Sequence, residues 1–531
     1  MRQFHYAAAL AAAFAVAGAA GGVTAQTPKD TVVIAKQIDD IISMDPAESF
    51  EFSGSEALGN LYDKLLTFNL KNVSEIRGEL AESWGVADDG VTYTFKLRSG
   101  VKFTSGNPVT AEDAAWSLQR AVILNKSPGF ILTQFGFNKD NVKERIRAAD
   151  DATLVIRTEK PVAPTFFYYC LTATVGAVVD KKTVMANEKN GDFGNDWLKT
   201  NSAGTGAYKL RVWRANENYT LEANEQHFAG APKSKRVIVR HVKEPATQRL
   251  LLEKGDVDIA RNLTKDQLDG LAGNSAIKVD RGLKGAIVYL GLNQKNPILA
   301  KPEVREALKL LVDYQAVQKN IVSATHQVHQ SFLPIGFLGA IEDQPYKFDP
   351  AKAKALLAKA GYPNGFTVTM DTRSTSPIID IAQAIQASWA QAGVKLEIIP
   401  GDGKQTLTKY RARNHDIYIG QWGPDYQDPH TNAETFAMNE DNSDTAKSKT
   451  LAWRNSWDIP ELTKKTAGAV VERDAKKREA TYQELQRVHQ QSSPFVIMFQ
   501  EIENWVHRSN VSGIAIGPSF DNNYYKDIVK N

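Results

Sequence analysis

The sequence contains a single cysteine, Cys170, among 531 residues. One cysteine excludes an internal disulfide, and its apolar neighbours in FFYYCLTA predict a buried structural thiol rather than a nucleophile. Cys170 also lies far from the apolar N-terminal segment, so no cysteine near a cleavage site could carry a lipid anchor.

An excess of charge of one sign is missing as well. The chain has 64 basic and 61 acidic residues, a formal charge of +3, and no long run of like charges. This balance argues against a nucleic-acid-binding surface. The composition, 42% hydrophobic and 24% charged, is typical of a globular protein, and the length predicts two or three domains.

Long apolar runs are absent except at the N-terminus. There MRQFHY precedes AAALAAAFAVAGAAGG, and VTA fits the small-x-small rule for signal-peptide cleavage between Ala25 and Gln26. The alternative is a membrane anchor, but a run of about 16 residues rich in Ala and Gly is short for a span. We therefore expect residues 1–25 to be a cleaved signal peptide and the protein to be periplasmic, without a lipid anchor.

The first half of the chain has clear local signals. TVVIAKQ predicts a strand, and Tyr93, Phe95 and Leu97 alternate with polar residues as in a half-buried strand. Val101–Phe103 predicts another short strand. Thr110 followed three residues later by Asp113 predicts a capping box at the start of a helix.

The second half predicts an α/β lobe. Strands and helices alternate there, which favours a parallel sheet. The predicted strands are GAIVYLGLN, GFTVTMDTR, VKLEIIP, NHDIYIG and residues 494–500; the predicted helices cover residues 302–316, 350–360, 378–391, 405–414 and 471–491.

The stretch WGPDYQDP follows the predicted strand NHDIYIG, in which Ile417 and Ile419 share one face and Tyr418 and Trp422 share the other. Ligands of open α/β sheets bind beyond the carboxyl ends of the strands. Asp425 and Asp428 come after this strand, and Arg373 comes at the end of GFTVTMDTR. The topology therefore predicts two acids and a base on one rim of the sheet.

Signatures of catalysis and of metal binding are weak. GTG at residues 204–206 lacks the spacing of a phosphate loop, and no GxSxG occurs. His326 and His329 lie three residues apart without a nearby Cys, Asp or Glu. We expect no enzymatic activity, no cofactor and no metal site; an exported hydrolase is the alternative from another class.

Several motifs together resemble the solute-binding family 5 receptors of ABC importers, which include the dipeptide- and oligopeptide-binding proteins. They are LAESW, DDGVTYTFKLRSGVKFTSGNPVTAEDAAWS, GTGAYKL, PEVREAL, FDPAKAKALLAKAGYPNGF and WGPDYQDP, in the expected order along the chain. The resemblance implies a two-lobed α/β periplasmic-binding-protein fold (type II) with a hinge and an inserted subdomain. It places lobe I at residues 26–60, 201–285 and 500–531, the insert at 61–200 and lobe II at 286–499.

The resemblance also implies a site. Asp425 matches the acid that pairs with a peptide ammonium, Trp422 would lie against the ligand, and Arg373 falls near the arginine that takes the ligand carboxylate, with an offset of one residue. Tyr426 is a further candidate, with core packing as its alternative.

Simpler roles remain open for these residues: a solvated turn for Asp425, plain core packing for Trp422, a turn and capping role for Asp428, a surface position for Arg373, and exposure for His430.

The implied function is capture of small peptides or peptide-like solutes by hinge closure and delivery to an inner-membrane ABC permease by a monomeric receptor. A non-peptide ligand, such as an opine, an oligosaccharide, a nickel complex or haem, is the alternative within the same fold.

Overall fold

The computed structural model describes residues 27–401, 403–446 and 448–531. The predicted signal peptide at residues 1–25 lies outside these ranges. None of the helices within them combines the length and the apolar character needed to span a bilayer.

The strands are, in chain order, β1 (Thr31–Lys36), β2 (Leu66–Asn69), β3 (Asn72–Gly78), β4 (Ala81–Val86), β5 (Thr92–Leu97), β6 (Ile146–Asp150), β7 (Thr153–Arg157), β8 (Tyr208–Arg214), β9 (Asn218–Ala223), β10 (Arg236–His241), β11 (Ile259–Ala260), β12 (Ile277–Leu292), β13 (His326–Val328), β14 (Thr367–Arg373), β15 (Lys395–Gly401), β16 (Ile417–Trp422), β17 (Phe495–Arg508), β18 (Val511–Ser512) and β19 (Val529–Lys530).

The α-helices are α1 (Phe52–Leu61), α2 (Ala111–Leu124), α3 (Phe130–Thr133), α4 (Val142–Arg145), α5 (Pro164–Cys170), α6 (Lys181–Met185), α7 (Asn195–Leu198), α8 (Pro245–Lys254), α9 (Lys265–Asp269), α10 (Pro302–Leu310), α11 (Tyr314–Val317), α12 (Pro350–Lys359), α13 (Ile378–Ala390), α14 (Gly403–Arg411), α15 (His430–Ala437), α16 (Leu451–Arg454), α17 (Pro460–Val471) and α18 (Ala475–Ser492).

One large mixed sheet runs through the molecule in the order β15-β14-β16-β12-β17-β11-β1-β10-β9-β8, with β13 added on β17. The long strands β12 and β17 pair antiparallel in the middle of this order. The strands β14, β15 and β16 therefore lie on one side of this pair, and β1 and β8–β11 lie on the other. The two predicted apolar strands thus connect two halves of the protein.

The half that contains β16 has the predicted parallel pairing: β14 runs parallel to both β15 and β16. The alternation within β16 also matches the prediction. Ile417 and Ile419 belong to the core on one face of the sheet, with Val368 and Met370. Tyr418 belongs to the core on the other face, where it packs with Tyr289.

The other half of the sheet surrounds β1, which runs parallel to β10 and β11. The antiparallel hairpin β8–β9 extends this half beyond β10. Its core forms around Val32, Ile34 and Trp505, all buried.

Residues 61–200 contribute a separate four-stranded sheet, in the order β4-β5-β7-β6, with its own hydrophobic core. Tyr93 and Phe95 point into this core as their alternation predicts. The capping box of α2 is also confirmed: the Asp113 amide donates to Thr110 Oγ1 at 3.3 Å, and the Thr110 amide donates to Asp113 Oδ2 at 3.0 Å.

Some predicted boundaries were wrong. The helix predicted at 302–316 ends at Leu310, and a separate short helix starts at Tyr314, capped by Asp313. The strand predicted at 101–103 is only an isolated bridge between Lys102 and Pro108. The last strand runs on to Arg508, since its second half pairs with β11 and β12 rather than ending at the apolar segment. The lobe boundaries themselves stay a prediction.

A buried charge cluster lies where β12 and β17 change register, between Leu283 and Ile287. Lys284 on β12 donates to Glu503 on β17 at 3.0 Å, and Arg261 also pairs with Glu503. Arg261 reaches Glu56 on α1 at 2.6 Å. The cluster therefore joins both central strands to the half of the sheet that contains β1.

Candidate functional site

The stretch WGPDYQDP forms the connection between β16 and α15. Because β14 and β16 are parallel, their carboxyl ends lie at the same edge of the sheet, as the sequence predicted. Trp422 is the last residue of β16, and α15 starts at His430. Asp425 lies midway in this connection, where its amide donates to Thr431 Oγ1 at 3.0 Å.

Asp425 borders two cavities. A small one, of about 80 Å³, lies between the motif and residues from the half with β1, including Phe52 and Phe520, whose rings stack at 3.9 Å. A larger one, of about 410 Å³, lies between the motif, α3, α15 and α16. Among the described residues, no hydrogen bond reaches the Asp425 carboxylate. The acid is thus held at the junction of two cavities with its bonding capacity unused.

The electrostatic environment of Asp425 disfavours its charge. The pKa of Asp425 is raised to about 7, mainly by burial and also by the nearby Glu434, while Arg454 acts in the opposite direction. A carboxylate in such a place gains much from a cation that arrives with a ligand.

Asp428 has a different role, although it lies only three residues away. Its carboxylate accepts two hydrogen bonds from the Arg478 guanidinium, at 2.8 and 2.6 Å, and both side chains are buried. It also accepts from the His430 amide at 2.9 Å, which confirms the turn and capping role. Asp428 therefore fixes the loop, and its charge is already neutralised by Arg478 and closed off from solvent.

The aromatic candidates differ in their surroundings. Trp422 is partly buried, lines the larger cavity, and donates from Nε1 to Asn432 Oδ1 at 3.1 Å. Tyr426 is 3% exposed and belongs mainly to the core of residues 61–200, where it packs near Phe166, although part of it lines the small cavity. Core packing therefore accounts for most of the Tyr426 surface. Ligand contact by either residue stays a prediction.

Arg373 ends β14 and is exposed. Its guanidinium lies against Gly403 and near Tyr418; burial raises the pKa of Tyr418, and Arg373 acts in the opposite direction. It lines neither of the cavities that Asp425 borders. The location on the predicted rim is confirmed, whereas the carboxylate-binding role stays a prediction.

The three histidines considered in the sequence, His326, His329 and His430, are all buried. The expectation of an exposed His430 was wrong: this residue is 5% exposed and lies against Phe166 and Tyr482. His326 and His329 are also buried, and burial lowers the pKa of each to about 4. Within the described ranges no group of three or more His, Cys, Asp or Glu is arranged to hold a metal ion. Cys170 is fully buried, as predicted.

The sequence reasoning missed Glu434 and Arg454, which share the larger cavity with Asp425. Glu434 follows Asp425 by nine residues on α15, and Arg454 lies on the short helix α16. Neither belongs to a recognisable motif. A charged residue on the exposed face of a helix would have the same sequence pattern, so only the packing of these helices reveals them.

The comparisons with known proteins agree with this architecture. The family description "Bacterial extracellular solute-binding proteins, family 5 Middle" matches residues 75–444. The chain belongs to this family. It is a solute-binding receptor with the two-lobed fold of periplasmic binding proteins, as the sequence motifs implied.

Individual relatives cover nearly the whole chain. The probable D,D-dipeptide-binding periplasmic protein DdpA of Escherichia coli is 29% identical over 94% of this chain and 93% of its own length. The glutathione-binding protein GsiB of Salmonella typhimurium is 26% identical over 96% of this chain and 97% of its own length. The periplasmic binding protein DppA of Helicobacter pylori, solved with the peptide STSA, is 26% identical, with a TM-score of 0.79 over 94% and 98%.

Proposed function

We propose that this family 5 receptor captures short peptides or peptide-like solutes in the periplasm and delivers them to an inner-membrane ABC permease, without chemistry on the ligand. The observation that carries the proposal is Asp425, a carboxylate at the junction of two cavities whose hydrogen-bonding capacity the described residues leave unused. The relatives support the ligand class, since their names specify a D,D-dipeptide, glutathione and the peptide STSA.

In this proposal the α-ammonium of the ligand pairs with Asp425, and Trp422 packs against the ligand. The ligand ammonium and the Asp425 carboxylate would both lose much of their contact with water. Breaking a buried ion pair by removing one partner costs roughly 3–5 kcal/mol. The site would thus reject ligands that lack the amine, which gives specificity as well as affinity.

The mechanism in this proposal is closure of two lobes about a hinge. Lobe I consists of residues 26–60, 201–285 and 500–531, with residues 61–200 as its insert, and lobe II consists of residues 286–499. Asp425 and Trp422 belong to the second lobe, whereas Phe52 and Phe520, across the small cavity, belong to the first. A ligand that contacts both sides shifts the equilibrium toward the closed form by its extra affinity for that form. The permease would recognise the closed receptor.

Native mass spectrometry of the mature protein, purified without denaturation, tests this function. Retained masses that match peptides would support it and set their length. A single non-peptide mass, or a metal complex, would contradict the ligand class while leaving the receptor fold intact. If the protein is empty, the same instrument titrated with D-Ala-D-Ala, glutathione and a tetrapeptide decides the question, and binding of none of them would contradict the proposal.

A further inference from the structure

The larger cavity beside Asp425 is lined by charged side chains of both signs that do not pair with one another. They are the acids Asp425 and Glu434 and the bases Lys449 and Arg454. Within the described ranges none of the four forms an ion pair with another. Their separation leaves both signs available to a ligand.

Arg454 is the base with the clearest unused capacity. Its Nε atom is inaccessible to water and has no hydrogen-bond partner among the described residues. The guanidinium lies 5.5 Å from the centre of the Tyr410 ring, which holds it without accepting a hydrogen bond. The Nη atoms of Arg454 likewise donate no hydrogen bond to a described residue, and a carboxylate that the ligand brings into the cavity suits this planar fork.

Glu434 is the second acid of the cavity. Its neighbour His430, at 4.0 Å, does not supply a cation near neutral pH, because burial lowers the pKa of that histidine to about 4. Burial, with a smaller contribution from Glu440, raises the pKa of Glu434 to about 7. A positive group that binds near both Glu434 and Asp425 would favour the charged form of each.

We propose that the larger cavity binds a short zwitterion, with its ammonium shared between Asp425 and Glu434 and its carboxylate bound by Arg454. This inference rests on the proposed function and adds two binding residues and a limit on ligand size. A volume of about 410 Å³ is near the lower end of small-molecule sites, roughly 300–1,000 Å³. Both charged ends of the ligand lie in this one cavity, so di- and tripeptides fit better than longer chains.

The carboxylate assignment is tested by pairs of ligands that differ only at the C-terminus. Calorimetry would compare D-Ala-D-Ala and L-Ala-L-Ala with their C-terminal amides on the wild type and on Arg454→Gln. We expect the wild type to bind at least one acid about 10-fold or more tightly than its amide. Arg454→Gln should weaken binding of the acid by about 10-fold and leave binding of the amide within about threefold.

Two arginine variants serve as controls. Arg411 is exposed, lies near Arg454 and Tyr418, and does not line the cavity. Arg411→Gln should therefore change the peptide affinity by less than about twofold. Arg373→Gln tests the competing carboxylate partner. If Arg373→Gln abolishes the preference for the acid and Arg454→Gln keeps it, the assignment of Arg454 is overturned. Arg454→Lys retains the positive charge and should restore part of the preference, which separates a binding role from a folding defect.

Glu434 is tested with Glu434→Gln and the exposed neighbour variant Glu440→Gln. We expect Glu434→Gln to weaken binding of free-amine dipeptides by about fivefold or more, and Glu440→Gln by less than twofold. An unchanged affinity for Glu434→Gln would remove this residue from the site. Loss of peptide binding in Asp425→Asn, with none in Glu434→Gln or Arg454→Gln, would overturn this inference and leave the proposed function standing. A wild type that binds none of the peptides would contradict both.

Discussion

Arg478 donates to both carboxylate oxygens of Asp428, at 2.8 and 2.6 Å, inside the protein. Asp425 precedes Asp428 by three residues in the same loop and receives no hydrogen bond on its carboxylate from the described residues. The two acids of this motif thus have different roles: Asp428 stabilises the loop, and the carboxylate of Asp425 borders the cavities without a hydrogen-bond partner among the described residues. This division leads to opposite predictions for the same substitution.

Asp428→Asn should destabilise the protein strongly. The substitution leaves the buried Arg478 guanidinium without its counter-charge, which costs roughly 3–5 kcal/mol. Urea unfolding followed by circular dichroism would measure this as a fall in the unfolding midpoint. A loss below about 1 kcal/mol would show that the pair is not a structural element of the loop.

Asp425→Asn should leave stability unchanged or slightly increased, because the amide removes a charge that burial already disfavours. Binding of free-amine peptides should weaken at least about 10-fold through loss of a charge-assisted hydrogen bond. Urea unfolding followed by circular dichroism checks the stability, and calorimetry on the folded variant checks the affinity. Unchanged affinity would exclude Asp425 from the site.

Peptide affinity should rise as the pH increases from about 5.5 to 7.5. The pKa of Asp425 and that of Glu434 lie near 7 in the empty site, and a bound ammonium lowers both, so binding releases protons and is favoured at higher pH. Above about pH 8 the peptide amine itself loses its proton and affinity should fall.

Calorimetry in buffers of different ionisation enthalpy measures the proton release directly. The double variant Asp425→Asn, Glu434→Gln should bind weakly and lose the acid side of the profile. A wild-type affinity that is flat between pH 5.5 and 7.5 would rule out an ammonium partner for these acids.

Acid should weaken the charge cluster where β12 and β17 change register. Burial raises the pKa of Glu503, but Arg261 and Lys284 outweigh it and lower the pKa to about 2. A lowered pKa contributes stability that is present above about pH 4.3, the ordinary value, and is lost as the pH falls toward 2. Glu503→Gln should therefore cost about 3–5 kcal/mol at neutral pH and reduce the additional loss in acid. Thermal unfolding of the wild type and of Glu503→Gln between pH 7 and pH 3 would measure this difference. Parallel plots of melting temperature against pH for the two proteins would contradict the prediction.

The sequence by itself determined the local elements and the place of the site. Alternation predicted the two faces of β16, because side chains in a strand point to opposite sides, and the capping box of α2 needs only Thr110 and Asp113. The order of strands and helices placed Asp425 and Arg373 on one rim, since the carboxyl ends of parallel strands share an edge.

Only the tertiary structure decided which acid is free. Arg478, 50 residues after Asp428 in the chain, neutralises that acid and leaves Asp425 open, and no local pattern shows this. Glu434 and Arg454 meet Asp425 for the same reason: α15 and α16 fold over one cavity. Burial and charge neighbours depend on contacts between distant segments, so the pKa of a carboxylate and the presence of a cavity are set by packing and not by motif.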